Sequence, residues 1–185
     1  MVAADLFSCG LQLIVEPPIV VPVNLKNVSN DEPLILVTND DGIRSPGLDA
    51  AIHAVIGLGE IIVAAPTEQQ TARGRSLVGN KDDASPALVV RHGLAVLCGG
   101  HRPDLVVSGI NYGENLGNNI TISGTIGAAL QAAAMGIPAI AVSRQTEIEH
   151  HFVYGDLESE ESIRITRRYA QQLLAARRRG LAPFP

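Results

Sequence analysis

In the stretch "LILVTNDDGIRSPGLDAAI", residues 34–52, Asp40 and Asp41 stand side by side where an apolar run stops. Two carboxylates this close either share a proton or bind a cation. Oxygen donors follow two other apolar runs: Thr71 in "TEQQTARGRS" and the pair Asn111 and Asn115 in "SGINYGEN". No His or Cys sits in these three turns, which disfavours zinc. An all-oxygen set of Asp, Asn and hydroxyl suits Mg²⁺, Mn²⁺ or Ca²⁺. The competing reading is that "NDDG" is an ordinary turn leading into a helix cap, because Asn, Asp and Gly are common turn residues. Taken alone, the tetrapeptide favours the turn. Its place beyond a buried strand, with polar companions beyond two others, favours a ligand site.

"SGT" at 123–125 opens a run of small residues. Free N–H groups at a helix start, with two hydroxyls, form an anion site. Plain capping by Ser123 or Thr125 explains the same residues, and a cap can also hold phosphate. Arg73 and Arg75, in the second loop, have the charge to clamp a phosphate or a ribose, although loop arginines are more often simply solvated. Other candidates are weaker. His150 and His151 have only Glu147 and Glu149 nearby, a spacing that matches no standard zinc pattern. His53 falls within a helical pattern, and Cys98 reads as a small buried hydrophobe. No Walker A or G-x-G-x-x-G pattern follows a strand.

The elements that must position these residues alternate. "LILVT" (34–38), "IIVAAP" (61–66), "DLVVSG" (104–109) and "AIAVS" (139–143) are short apolar runs suited to buried strands. Between them lie helical patterns. Ser45 and Pro46 cap and open the first, which stops at Gly57 or Gly59. Residues 85–98 form the second, opened by Ser85 and Pro86, although the valine pair leaves a strand open. Residues 123–136 form a third. "SEESIRITRRYAQQLLAARRRG" is a final amphipathic helix, acidic at its start and basic at its end as the helix dipole prefers. This alternation predicts a right-handed parallel α/β sheet with its ligand beyond the carboxyl ends of the strands. Residues 1–33 carry four prolines, show no clear period and are set apart as an extension; residues 34–185 form one domain.

Bulk composition agrees. The chain has 185 residues, of which 46% are hydrophobic and only 3% aromatic, so its core must be aliphatic, as in a covered parallel sheet. A formal charge of −5 argues against a nucleic-acid polymer or an anionic membrane as partner. The uncharged stretch from Asn115 to Ser143 is interrupted by Asn, Gln, Gly and Pro and does not read as a membrane span. Two cysteines, Cys9 and Cys98, are too few for a disulfide framework, so a reduced, cytoplasmic setting is expected. "LFSCG" at 6–10 lacks the preceding basic and apolar residues of a lipoprotein signal.

Four segments, "ILVTNDDGIRSPG", "VAAPTEQQTARGRSL", "RPDLVVSGINYGENLG" and "SGTIGAALQAAAMGIPAIAVS", stand in the order found in the SurE family of survival-protein nucleotidases, which the chain resembles over residues 33 to 145. The resemblance implies a Rossmann-like core with helices on both faces. It also implies a phosphomonoesterase for nucleoside 5′- and 3′-monophosphates, dependent on one divalent ion, Mg²⁺ or Mn²⁺. Carried over by motif, the metal ligands are Asp40, Asp41, Thr71 (where the family more often has Ser) and Asn111. Asn39, Asn115, Ser123, Gly124 and Thr125 fall on positions around the phosphate. The implied mechanism is attack of an activated water on phosphorus, with Asp40 or Asp41 as the catalytic carboxylate. An aspartyl-phosphate route is disfavoured because the D-x-D spacing is missing.

Departures from the family pattern are concentrated in two places. Between Ser76 and Arg102 the chain is short, and Leu88 and Val89 stand where the family has an Asp-Cys pair. Beyond "GLAPFP" the family's C-terminal strands and assembly arm are absent, so homo-oligomerisation by that arm is not expected. The alternative expectation is therefore a SurE-like metal- or nucleotide-binding module without catalysis.

Overall fold

The computed structural model describes residues 32–79, 84–98, 100–147 and 160–180. The proline-rich extension up to residue 31, Cys9 and the pair His150 and His151 lie outside the described residues. Four parallel strands form one sheet in the order β2-β1-β3-β4: β1 is Leu34–Thr38, β2 Glu60–Val63, β3 Leu105–Tyr112 and β4 Ala139–Arg144. The helices are α1 (Pro46–Val55), α2 (Pro86–His92), the single turn α3 (Asn119–Ile122), α4 (Gly124–Ala134) and α5 (Glu160–Arg178).

Strand β1 is buried at every position, and its side chains divide by parity between two cores. Ile35 and Val37 join the cluster under α1 and α5, while Leu34 and Leu36 join the one under α2 and α4. A side-chain period of two on a strand covered on both faces produces this division, which is why "LILVT" reads as a continuous apolar run. The expected α/β sheet with helices on both faces is what the chain forms.

Local chemistry sets the helix starts. The Ser45 hydroxyl accepts from the Leu48 N–H at 3.1 Å, with Pro46 in the first turn, where its missing N–H costs nothing. Ser85 caps α2 in the same way, and its own hydroxyl donates to the Ser76 carbonyl at 2.6 Å. The valine pair of 85–98 is therefore helical. The helix does not run evenly to Cys98, however: residues Gly93–Leu97 form a π-helical turn, where Gly93 packs closely on Ala64 and Leu36.

Two strand ends differ from expectation. β2 stops at Val63, with Pro66 beyond it unable to donate. β3 continues through Gly109 to Tyr112. Its pairing with β4 shifts there, from Ser108 opposite Ala141 to Asn111 opposite Ser143. Gly109 has φ +130° and presses on the Val142 carbonyl, a place no side chain could occupy. Glycine normally reads as a strand end. Here it makes a bulge that carries Asn111 and Tyr112 to the rim of the sheet.

Candidate metal and phosphate site

At the carboxyl ends of β1 and β3 lies a cleft of roughly 210 Å³. Asp40, Gln69, Thr71, Asn111, Asn115 and Ser123 contribute to its wall. The topology thus brings together the polar loops that the sequence singled out after three separate strands and before α4.

The two carboxylates are nearly out of solvent, each 5% exposed. Asp40 accepts from the Thr125 hydroxyl at 2.5 Å and from the N–H groups that begin α4. Burial raises its pKa, and these donors only partly oppose that. Asp41 accepts from the Gln69 amide at 3.2 Å and from the Tyr112 N–H. Burial first, then the neighbouring Asp40 charge, push the Asp41 carboxyl up to about 7. A positive ion between the carboxylates would favour their ionised forms.

The donor set fits a hard divalent cation. Asn111 donates through Nδ2 to the Gly113 carbonyl at 2.7 Å, which leaves its Oδ1 as the end able to face a cation. Thr71 brings a hydroxyl to the same cleft. Among the described residues no group of three or more His, Cys, Asp and Glu side chains gathers.

The five expected phosphate positions separate. Asn115 and Ser123 line the cleft. Asn115 is held by the Ser143 hydroxyl at 2.7 Å, and Ser123 caps α4 through the Ile126 N–H at 3.2 Å. Asn39, in contrast, is fully buried, and its Nδ2 donates to the Gly42 carbonyl and to the Ser45 hydroxyl. It ties the "NDDG" turn to the cap of α1. Gly124 packs its backbone on Asp40, and the Thr125 hydroxyl is spent on the same carboxylate. None of these three residues is part of the cleft wall.

Arg75 donates through Nε to the side-chain Oε1 of the buried Gln131 at 3.1 Å. Leu88 and Val89 belong to the core under α2, Val89 being fully buried, so these departures from the family pattern are packing positions. Sequence reasoning did not single out Gln69, Tyr112 or Ser143. Two of them had a signal. Gln69 lies two residues before Thr71 in the same loop, and Ser143 is the polar end of a strand, where the strand-end rule applies. Tyr112 lay hidden behind Gly109.

An open parallel sheet with two nearly buried carboxylates and a polar, oxygen-rich cleft at its strand ends defines an α/β protein of the Rossmann-like class. Residues 35–181 match the family model described as "Survival protein SurE", and the chain belongs to that family. Its curated relatives include a "5'-nucleotidase SurE" of Pelobacter propionicus, 43% identical over 155 residues, covering 76% of this chain and 60% of that one. Another, from Methanothermobacter thermautotrophicus, is 42% identical over 167 residues, covering 80% of this chain and 63% of the relative. The crystal structure of the SurE protein from Aquifex aeolicus superposes with a TM-score of 0.68 at 34% identity, covering 77% of this chain and 60% of that one. The chain thus spans about 60% of the length of these relatives. No helix among the described residues is long and apolar enough to cross a membrane.

Proposed function

We propose that this chain is a phosphomonoesterase acting on nucleoside 5′- and 3′-monophosphates, with one Mg²⁺ or Mn²⁺ held by Asp40, Asp41, Thr71 and Asn111. The observation that carries the reading is the pair of adjacent, nearly buried carboxylates, Asp40 and Asp41, at a cleft whose wall also carries the oxygen donors Thr71, Asn111, Asn115 and Ser123 and the carboxylate of Glu114. The relatives named as 5′-nucleotidases support the substrate class. When bound, the cation would neutralise phosphoryl charge and make a bound water more acidic.

The chain's own residues do the rest. Ser123 and Asn115 line the cleft and donate to phosphate oxygens in this reading, while Asn115 Nδ2 also donates to the Ser143 hydroxyl. Gln69 and the Tyr112 N–H orient Asp41, and Thr125 orients Asp40. An aspartate oxygen accepts a hydrogen bond from the attacking water and sets its approach to phosphorus. Positioning and charge stabilisation are what phosphoryl transfer needs most from a protein. The test is phosphate release from 5′-AMP and 3′-AMP with Mn²⁺ or Mg²⁺, against EDTA and against Asp41→Asn. Metal-dependent release lost in that variant supports the reading. A second reading, a binding module without turnover, is favoured by Leu88 and Val89, which stand where the family has an Asp-Cys pair and pack into the core under α2. A folded sample that binds Mn²⁺ yet releases no phosphate would establish that one instead.

A further inference from the structure

The first turn of α4 and the end of β1 are joined more closely than an anion-binding helix start requires. Thr125 is fully buried and does not line the cleft, whereas Ser123, two residues earlier, does. The Thr125 hydroxyl donates to Asp40 Oδ1 at 2.5 Å. Behind it, the Thr125 carbonyl accepts from the hydroxyl of Ser108, a fully buried residue of β3, at 2.8 Å. At Gly124 a β-carbon would lie 2.7 Å from both Cβ and Oδ2 of Asp40, so the helix backbone and the carboxylate are in direct contact. A continuous line of contacts therefore runs from β3 through α4 to Asp40, with every member out of solvent.

We infer that Thr125 is a positioning residue for the cation ligand Asp40, held in place by Ser108, and does not contact the phosphate. The inference rests on the cation reading above and adds to it. With Oδ1 held by the Thr125 hydroxyl and the helix start packed against Cβ and Oδ2, the carboxylate cannot turn freely, so its orientation is set by the first turn of α4. Partners of this kind around a ligating side chain set its orientation, and their loss typically costs about 10–100-fold in metal affinity or activity. The Thr125 hydroxyl donates to the carboxylate and cannot reach an anion in the cleft while it does so.

The experiment uses the whole chain and Mn²⁺ as the probe, with binding read by the loss of the free-ion paramagnetic resonance signal. Thr125→Val keeps the shape and removes the hydroxyl; Thr125→Ser keeps the hydroxyl; Asp40→Asn removes the ligand. Thermal unfolding in EDTA checks that each variant folds, and Thr125→Ala replaces the valine variant if that one does not. The expected result is Mn²⁺ binding weakened by about 10–100-fold in Thr125→Val and restored in Thr125→Ser. At saturating Mn²⁺, KM for 5′-AMP and inhibition by inorganic phosphate should stay as in the unsubstituted chain. Unchanged Mn²⁺ binding with a raised KM and weaker phosphate inhibition would overturn the inference and return Thr125 to the phosphate. So would a serine variant that behaves like the valine one. A chain that binds no Mn²⁺ at all, or binds it equally well as Asp40→Asn, overturns the cation reading itself. Binding lost in Asp40→Asn but intact in Thr125→Val overturns only the role of Thr125.

Discussion

Replacing Gly124 by alanine adds one carbon at the tightest place in the site. That carbon would sit 2.7 Å from Asp40 Cβ and 2.7 Å from Asp40 Oδ2. Carbon contacts are comfortable at about 3.5–4.0 Å, so the helix start and the end of β1 must part by about 1 Å. Neither side yields easily. Asp40 is nearly buried and bonded to Thr125, and α4 is packed on α2 through Ala128 and Ala132. Overpacking of this kind typically costs about 1–3 kcal/mol of stability. Its functional cost should be larger in proportion. Metal–ligand distances tolerate only about 0.2 Å, and a misplacement of about 1 Å near the chemistry can lower a rate about 10²-fold. The assays are urea unfolding in EDTA, Mn²⁺ titration and phosphate release from 5′-AMP. Gly124→Ala should remain folded, lose at least about ten-fold in Mn²⁺ affinity and lose about 10²-fold in turnover. If Gly124→Ala kept the Mn²⁺ affinity and turnover of the unsubstituted chain, the claim that contact with the helix start positions Asp40 would be refuted.

Two other predictions follow from the same geometry. Ser45→Ala removes the cap of α1 and also leaves the buried Asn39 amide without one of its acceptors; the cost should be about 2–3 kcal/mol, read as a lower urea midpoint at unchanged slope. The metal-free chain should lose stability as pH rises through about 7, because the Asp41 pKa is raised there from 3.8 to about 7 and folding favours its protonated form. That contribution is complete below the unfolded value and gone above the folded one. A cation favours the ionised form, so the increase in Tm on adding Mn²⁺ should be larger at pH 8 than at pH 5, and an increase that is larger at pH 5 would contradict this.

Much of the fold is written in short-range chemistry, and that part was legible. The bounds of β1 follow from an unbroken apolar run, and the starts of α1 and α2 from Ser-Pro pairs whose caps form as the residue types require. The Asp pair could be singled out because it stands beyond a buried strand, where parallel sheets gather their ligands, and Asp40 does lie in the cleft wall. What stayed hidden depends on neighbours far away in sequence. Gly109 looked like the end of β3, and only the Val142 carbonyl across the sheet makes it a bulge. Thr125 and Asn39 belong to the site motifs, but which atoms their side chains meet is decided by Asp40, Gly42 and Ser45, and residue type alone gives no direction. The π-helical turn after α2 begins at Gly93, which lies close to Ala64 and Leu36, and no local pattern points to it.

The central claim is that Asp40 and Asp41 hold one divalent cation beside the phosphate cleft. Its most direct test is an equilibrium Mn²⁺ titration of the full chain, followed by paramagnetic resonance, with Asp40→Asn and Asp41→Asn in parallel and folding checked by thermal unfolding in EDTA. One ion should bind per chain, with binding lost in both folded variants. Binding that survives both substitutions would place the ion elsewhere and contradict it.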